Sequence, residues 1–204
     1  MKERPILFKG EMVRAILDGA KTQTRRVCKF TSGGHLKGPR TNKRWHPDDP
    51  NAVLACPYGQ PGDRLWVKET FFDTNSATTD PRFGIAPRYL YRADYEYREP
   101  QRRIIGPHNW KPSIFCTRAA SRIVLEIAAV RTERLNDISE ADAKAEGAID
   151  PSSDSALGKW MGSPTAKNGL WAQQYALLWQ IINGPGSWEL NPWIWVITFQ
   201  RIKP

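Results

Sequence analysis

Short alternating segments, separated by long proline- and glycine-rich stretches, most constrain the fold of this chain. Residues 121–130 (SRIVLEIAAV) are the clearest case, because Ile123, Leu125 and Ile127 alternate with the residues between them. No regular strand–helix–strand rhythm and no internal repeat accompanies these segments. The pattern therefore predicts an α+β fold, most simply a small, mostly antiparallel β-barrel decorated by helices.

Local signals predict the individual elements. The first helix should end before Gly19, the second should begin after Ser139 with Asp142 as an approximate capping-box partner, and the third should follow Ser163-Pro164. Helices are predicted at residues 10–17, 138–147 and 165–183. Strands are predicted at residues 5–8, 21–27, 64–72, 88–97, 121–130 and 191–203.

The positive charge of the chain is concentrated at one end. Residues 1–44 contain 12 Lys and Arg and 3 Asp and Glu, whereas the other 160 residues contain 18 of each sign, so the first fifth carries the whole net charge of +9. Concentrated positive charge attracts polyanions, nucleic acid first among them. A solvated basic face without a partner is equally compatible with the charge alone.

Cysteine and histidine give little support for a metal or a disulfide. Cys28, Cys56 and Cys116 are odd in number, far apart and without a CxxC pair, which predicts buried, reduced thiols. A cluster of Cys28, His35 and Cys56 is the alternative, although its spacing does not favour a metal site. The N-terminus has no signal-peptide core, and the apolar run at 193–197 is too short to span a bilayer, so we expect a cytoplasmic protein without membrane contact.

Tryptophan is unusually abundant near the third predicted helix and the last strand. Six of the nine Trp residues fall between positions 160 and 195. Their helical and strand spacings favour core packing, because aromatic stripes usually bury area. Stacking of one or two rings on a nucleobase is the functional alternative.

The segment GAKTQTRR (19–26) combines a hydroxyl with a potential base. A threonine hydroxyl becomes a nucleophile only with a base within hydrogen-bond reach. A lysine can be that base if burial, or cations such as Arg25 and Arg26, lower its pKa. Lys21 and Thr24 are therefore a candidate base and nucleophile, as in lysine–hydroxyl variants of the catalytic triad.

This interpretation needs a carboxylate and a turn. Glu146 and Glu69 are the candidate carboxylates that could orient the lysine or carry its proton to a leaving group. On a regular strand Lys21 and Thr24 would point to opposite faces, so the chain must turn just after Gly19. Local composition alone favours a solvated basic turn over a site.

Three segments together resemble a known domain. The pattern GxKTxTxR begins at Gly19 and ends at Arg26, after a predicted strand and an amphipathic helix. With PGDRLWVKETF (61–71) and WVITFQRI (195–202), it resembles the ASCH domain, including ASCH proteins found in prophages. The resemblance implies a PUA-like fold, which is a small β-barrel related to RNA-binding domains, with a cleft beside the first helix.

Within that group, the chain is most similar to small bacterial amidohydrolases that remove the acyl group from N4-acetylcytidine. The similarity implies a catalytic set of Lys21, Thr24 and Glu146. It also implies that Arg26 anchors the substrate or the structure, and we expect Glu69 to be a substrate-binding residue. The expected substrate is an N4-acylated cytidine or cytosine, and the chemistry requires neither a metal nor a cofactor.

The resemblance covers roughly residues 4–28, 62–71, 121–148 and 193–202. We therefore expect one ASCH-type domain over residues 1–204, with insertions at about 29–61, 72–120 and 149–191. Two alternatives remain open. One is a PUA-like module that binds RNA without chemistry, and the other is a ribonuclease that directs the lysine and arginine at phosphate.

Overall fold

The computed structural model describes residues 1–38, 44–74, 79–80, 84–85, 88–95, 109–148 and 169–202. Its main feature is a five-stranded sheet in the order β1-β3-β8-β9-β2. The strands are β1 (Glu3–Leu7), β2 (Gln23–Val27), β3 (Arg64–Lys68), β8 (Val124–Arg134) and β9 (Trp193–Ile202). Four shorter strands, β4 (Phe71–Asp73), β5 (Thr79–Asp80), β6 (Gly84–Ile85) and β7 (Tyr89–Tyr91), form the separate pairs β4–β7 and β5–β6.

The sheet confirms the α+β class, but it does not form a closed barrel. β1 pairs with β3 in parallel, and the three other adjacent pairs are antiparallel. The backbone ladder stops at β1 on one edge and at β2 on the other. Arg26 Nη2 nevertheless donates a hydrogen bond to the Leu7 carbonyl oxygen at 2.6 Å, so a side chain links the two edge strands.

β9 joins the strand that carries the candidate residues to the rest of the sheet. It pairs with β8 on one side and with β2 on the other, and Thr24 lies opposite Ile197. Residues 194–197 of β9 are all buried, as expected for a strand that is covered on both faces. This burial confirms the sequence-based interpretation of the last strand.

In the described ranges, four α-helices accompany the sheet: α1 (Gly10–Leu17), α2 (Arg92–Tyr95), α3 (Glu140–Ala145) and α4 (Gly169–Asn183). α1 buries Met12, Val13 and Ile16, and the chain leaves it through Gly19, which has a φ of 76°. Only glycine adopts such a conformation without a steric cost, which explains the predicted helix stop. The predicted N-terminal signals of the last helix, Ser163-Pro164, lie outside the described residues.

α3 and α4 are held together through their first turns. The Ser139 hydroxyl accepts a hydrogen bond from the Asp142 backbone N–H at 3.1 Å, as predicted for an N-cap. The Glu140 carboxylate accepts from the backbone N–H groups of Trp171 and Ala172, each at 2.9 Å. A carboxylate at the first turn of α4 satisfies donors that have no partner within the helix.

Two sequence-based predictions are wrong in detail. The strand expected at 64–72 is divided into β3 and β4, with Glu69 and Thr70 between them. The strand expected at 88–97 ends at Tyr91, because the chain turns there into α2 and buries Ala93 in the core. The Arg92 backbone N–H donates to the Thr70 carbonyl oxygen at 3.0 Å, which fixes this turn beside β4.

Most of the tryptophans that the structure describes pack in or against the core. Trp179, Trp188 and Trp195 are between 1% and 9% exposed, and Trp171 and Trp193 pack against the same cluster. Trp160 lies outside the described residues. In the part of the chain that the structure covers, no helix is long and apolar enough to cross a membrane.

Candidate active site

One cavity of about 630 Å³ receives all five residues that the sequence analysis singled out. It lies between the start of α1, β2, the turn after β3 and the second half of α4. The five residues are Lys21, Thr24, Arg26, Glu69 and Glu146. A concave pocket that combines apolar walls with a few converging polar groups is the usual form of a small-molecule site.

Lys21 reaches the cavity because it precedes the regular part of β2. Its backbone N–H donates to the Ala15 carbonyl oxygen at 2.9 Å, while the Thr22 N–H donates to the Ala145 carbonyl oxygen at 2.8 Å. β2 begins only at Gln23. Strand alternation therefore does not force Lys21 and Thr24 to opposite sides, and both line the same cavity.

A glycine allows the backbones of Lys21 and Glu146 to lie side by side. The two residues form an isolated antiparallel bridge, and Gly147 follows with a φ of 76°. A Cβ atom at position 147 would lie 3.3 Å from the Cβ atoms of both Ala15 and Lys21. The predicted helix stop at Gly147 thus also brings α3 against the chain that leaves α1.

The Lys21 ammonium is paired with Glu146 and almost completely buried. Nζ donates to Glu146 Oε2 at 2.6 Å and to the Glu146 carbonyl oxygen at 2.7 Å, and the two side chains are 2% and 3% exposed. Burial lowers the pKa of the Lys21 amine; the Glu146 carboxylate opposes this effect, and the Arg26 and Arg25 guanidinium groups add to it. The prediction of a solvated basic turn, which local composition favoured, is therefore wrong for Lys21.

Arg25, which the sequence analysis treated only as a neighbouring cation, holds the other carboxylate oxygen of Glu146. Its side chain is 0% exposed, and Nη1 lies 3.2 Å from Glu146 Oε1. Nη2 lies 2.7 Å from Glu133 Oε1 and 3.2 Å from Asp142 Oδ2. Glu146 therefore has one buried cation on each oxygen, which fixes the orientation of its carboxylate.

The network around Arg25 is balanced in charge. Arg131 Nε lies 2.9 Å from Glu133 Oε2, and Arg131 Nη2 lies 2.7 Å from Asp142 Oδ2. The Asp142 carboxylate thus serves this network and also accepts from Gln23 Nε2 at 3.1 Å, rather than completing a capping box. The cations are Lys21, Arg25 and Arg131, and the carboxylates are Glu133, Asp142 and Glu146.

Glu69 lies on another wall of the cavity and has a different partner. Its two oxygens accept from Arg122 Nε at 2.9 Å and from Arg122 Nη2 at 3.0 Å, and the same guanidinium binds Asp94 and lies over the Tyr91 ring. Burial raises the pKa of the Glu69 carboxyl, while Arg122 opposes that shift. Of the two candidate carboxylates, the structure pairs Glu146 with Lys21.

Aromatic rings cover the cations of the site. The Phe8 ring centroid lies 5.9 Å from Lys21 Nζ and 5.1 Å from Arg26 Cζ, while the Tyr175 centroid lies 5.7 Å from Arg25 Cζ. Such contacts stabilise a cation while they exclude water. Tyr175 itself is 4% exposed, and burial raises the pKa of its hydroxyl.

Sequence reasoning missed Arg25, Arg122 and Tyr175. Arg122 carried a usable signal, because a charged residue inside the best predicted strand needs a partner. Tyr175 lies in the helix predicted at residues 165–183, where an apolar position does not distinguish a cavity wall from the core. The burial of Arg25 had no local signal, because its carboxylate partners come from β8, α3 and the residue that follows α3.

The cysteines show no sign of chemistry. All three are free and buried, and burial raises the pKa of the Cys28 thiol to about 12 and that of Cys56 to about 11, which makes them poor nucleophiles. Within the ranges that the structure covers, no three His, Cys, Asp or Glu side chains are grouped in a way that could hold a metal ion. The alternative metal cluster of Cys28, His35 and Cys56 is therefore not found.

Comparisons of the chain with protein-family profiles, with curated proteins and with solved structures give no match.

Proposed function

We propose that this chain is an ASCH-type, PUA-like domain that hydrolyses the exocyclic amide of an N4-acylated cytidine or cytosine. The observation that carries the proposal is the buried Lys21–Glu146 pair, which shares one cavity with Thr24. The hydrogen bond from Arg26 on β2 to Leu7 on β1, which links the two edge strands of the open sheet, supports the PUA-like part of the proposal.

The acylation step uses three side chains. In the neutral form of the pair, the Lys21 amine takes the proton of the Thr24 hydroxyl while Thr24 Oγ attacks the acyl carbon. Glu146, which holds the proton in that form, gives it to the departing N4 atom as the C–N bond breaks. The products are the free amine and an acyl-threonine, and the pair is left as Lys21 ammonium and Glu146 carboxylate.

Water completes the cycle. A water molecule attacks the acyl-threonine and gives one proton to the Glu146 carboxylate, while the Lys21 ammonium returns its proton to Thr24 Oγ. The acyl group leaves as a carboxylic acid, so one water is consumed for each amide cleaved. Arg26 or nearby backbone N–H groups stabilise the oxyanion. Direct attack by water, with Lys21 and Glu146 sharing the proton transfers, is the alternative route.

The number of donors on Lys21 fits this role. An ammonium group has three N–H donors, and Glu146 accepts two of them. One N–H position therefore remains to exchange a proton with another group in the cavity. Burial of the pair away from water keeps that exchange within the site.

The buried pairing favours chemistry over RNA binding. Lys21 and Arg25 are 3% and 4% exposed, and Arg26 donates to a backbone carbonyl, so GAKTQTRR does not present a free basic face for phosphates. An RNA-binding module would lose affinity steeply as salt increases. An enzyme that acts on an uncharged nucleoside would keep its KM nearly constant over the same range.

The direct test is turnover of N4-acetylcytidine by purified protein, followed as release of cytidine and acetate. We expect turnover by the wild type and none above background by Lys21→Ala and Thr24→Ala. Thr22→Ala and Lys29→Ala are matched controls, because both residues are exposed and neither lines the cavity. A wild type without turnover, or full turnover by either site variant, contradicts the proposal.

A further inference from the structure

The mouth of the cavity carries a cluster of exposed apolar side chains. Ten large apolar residues are exposed in the described part of the chain, and four of them line this cavity. The four are between 42% and 51% exposed: Leu7, Val27, Ile181 and Ile182. Exposed apolar residues that cluster mark a ligand or partner surface, whereas scattered ones do not.

One face of α4 connects this mouth to the buried charges. Tyr175, Leu178 and Ile182 follow one another at helical spacing and all line the cavity. Tyr175 lies over Arg25, the guanidinium that holds Glu146, and Ile182 lies about 10 Å farther along the helix axis. The apolar face therefore runs from the proposed catalytic groups outward to solvent.

Another part of the cavity wall has the opposite character. It is formed by Glu69 and Thr70 after β3, by Arg92 at the start of α2, and by Ser113. Its groups can hydrogen-bond the polar edge of a base or the hydroxyls of a sugar. The α4 face, in contrast, offers hydrocarbon contact, so the two ends of an acylated nucleoside fit different walls of one cavity.

We infer that the α4 face binds the acyl group, and that the substrates of this site carry an apolar acyl chain longer than acetyl. This inference rests on the proposed function, and it assigns Leu178, Ile181 and Ile182 to substrate selection. Burial of one additional methylene on this face is worth roughly fourfold in kcat/KM. A cavity of about 630 Å³ lies in the range that encloses a ligand with both a base and a chain.

The test compares N4-acetylcytidine with N4-hexanoylcytidine as substrates. For the wild type we expect kcat/KM to be at least about tenfold higher for the hexanoyl substrate, since part of each added methylene leaves water. Ile182→Asn should bring this ratio close to one. Leu190→Asn should keep the wild-type ratio, because Leu190 is 78% exposed and does not line the cavity.

Three outcomes separate this inference from the proposed function. Turnover of both substrates with equal kcat/KM overturns the acyl-chain inference and leaves the amidohydrolase standing. If no substrate is turned over, calorimetry with hexanoate and acetate tests the α4 face alone. Hexanoate that binds more tightly than acetate, with the difference abolished by Ile182→Asn, supports the assignment of the α4 face to the acyl chain. Equal binding of the two carboxylates overturns this assignment. Dimerisation that Ile182→Asn abolishes, without any dependence on chain length, would instead assign the cluster to a second copy of the chain.

Discussion

Lys21 and Glu146 are separated by 125 positions in the sequence, yet the Nζ atom of Lys21 lies 2.6 Å from Glu146 Oε2 with both side chains almost free of solvent. Such a pair gains little net stability from its charges, because taking both groups out of water offsets their attraction. It does fix the position of a proton donor and a proton acceptor. The contribution of this ion pair to stability can be measured without an assay of turnover.

Glu146→Gln should destabilise the protein by about 3–5 kcal/mol, because it leaves Lys21 and Arg25 buried without their shared carboxylate. Glu133→Gln is the matched control, since Glu133 is 16% exposed and its partner Arg25 keeps two other carboxylates. Chemical denaturation measures both. If Glu146→Gln loses no more stability than Glu133→Gln, then Glu146 is not the shared carboxylate of two buried cations.

Replacing both members of the pair with apolar residues should restore stability without restoring activity. Lys21→Met/Glu146→Leu removes both buried charges together and keeps similar volumes, so we expect an unfolding free energy within about 2 kcal/mol of the wild type. Turnover of N4-acetylcytidine should remain absent. Denaturation and an activity assay on the same preparation check this, and a double variant less stable than Glu146→Gln would argue against the ion pair as described.

The pH dependence of kcat/KM should show a limb that falls with pH, because the proposed acylation step needs one proton on the Lys21–Glu146 pair, and deprotonation of the Lys21 ammonium removes it. Burial lowers the pKa of this amine, so the limb should lie below the ordinary range of lysine. Arg26→Gln removes a cation that helps to lower that pKa and should shift the limb to higher pH. Arg131→Gln serves as the control, and a limb that Arg26→Gln leaves in place would count against Lys21 as the base.

Gly147→Ala should cost both stability and activity, while Gly19→Ala should cost stability alone. Both glycines have a φ of 76°, so the backbone penalty of about 1–2 kcal/mol is shared. Only at position 147 would the new Cβ lie against another residue, 3.3 Å from Lys21 Cβ, whereas position 19 has nothing within 4 Å. Thermal unfolding and kcat measured on both variants test this difference.

Arg122→Gln should destabilise the protein in a manner that depends on pH. The variant leaves Glu69 buried without its cation, which raises the pKa of that carboxyl further above its unfolded value. A raised carboxyl pKa favours the folded state at acid pH, and this contribution is lost as pH rises through the folded pKa. The loss of unfolding free energy relative to the wild type should therefore be small at acid pH and grow toward neutral pH.

Arg118→Gln is the matched control for that experiment. Arg118 pairs with Glu3 at 2.9 Å, but both side chains are partly exposed, so its loss should change the stability little at any pH. Denaturation curves between acid and neutral pH measure both variants. A deficit for Arg122→Gln that is independent of pH would contradict the role given to Glu69.

Elements with strong local signals could be predicted from the sequence. Gly19 and Ser139 mark helix ends through backbone conformation and capping, which depend on a few neighbouring residues. α2 could not be predicted from the tyrosine-rich segment 88–97, because Asp94 is held by Arg122 and Ala93 packs in the core. Those contacts come from distant parts of the chain and override strand propensity.

The candidate site, too, could be predicted only in part from the sequence. The GxKTxTxR pattern and the resemblance it carries identified Lys21, Thr24 and Glu146 as candidates, and the structure brings them to one cavity. A run of charges in sequence does not reveal that Arg25 is buried, because its burial requires carboxylates from three separate positions. The closure of a barrel also depends on how far a sheet curls, which short strands do not encode locally.

The pairing of β9 with both β8 and β2 has a consequence for folding during synthesis on the ribosome. Among the strands that the structure describes, β2 pairs only with β9, so the strand that carries Thr24 can pair only after a segment distant in sequence has been made. Contacts between segments so distant in sequence form slowly. Helix α1 can fold as soon as it emerges, whereas Thr24 gains its strand neighbours on β9 only after synthesis has passed residue 197, so this wall of the cavity forms late.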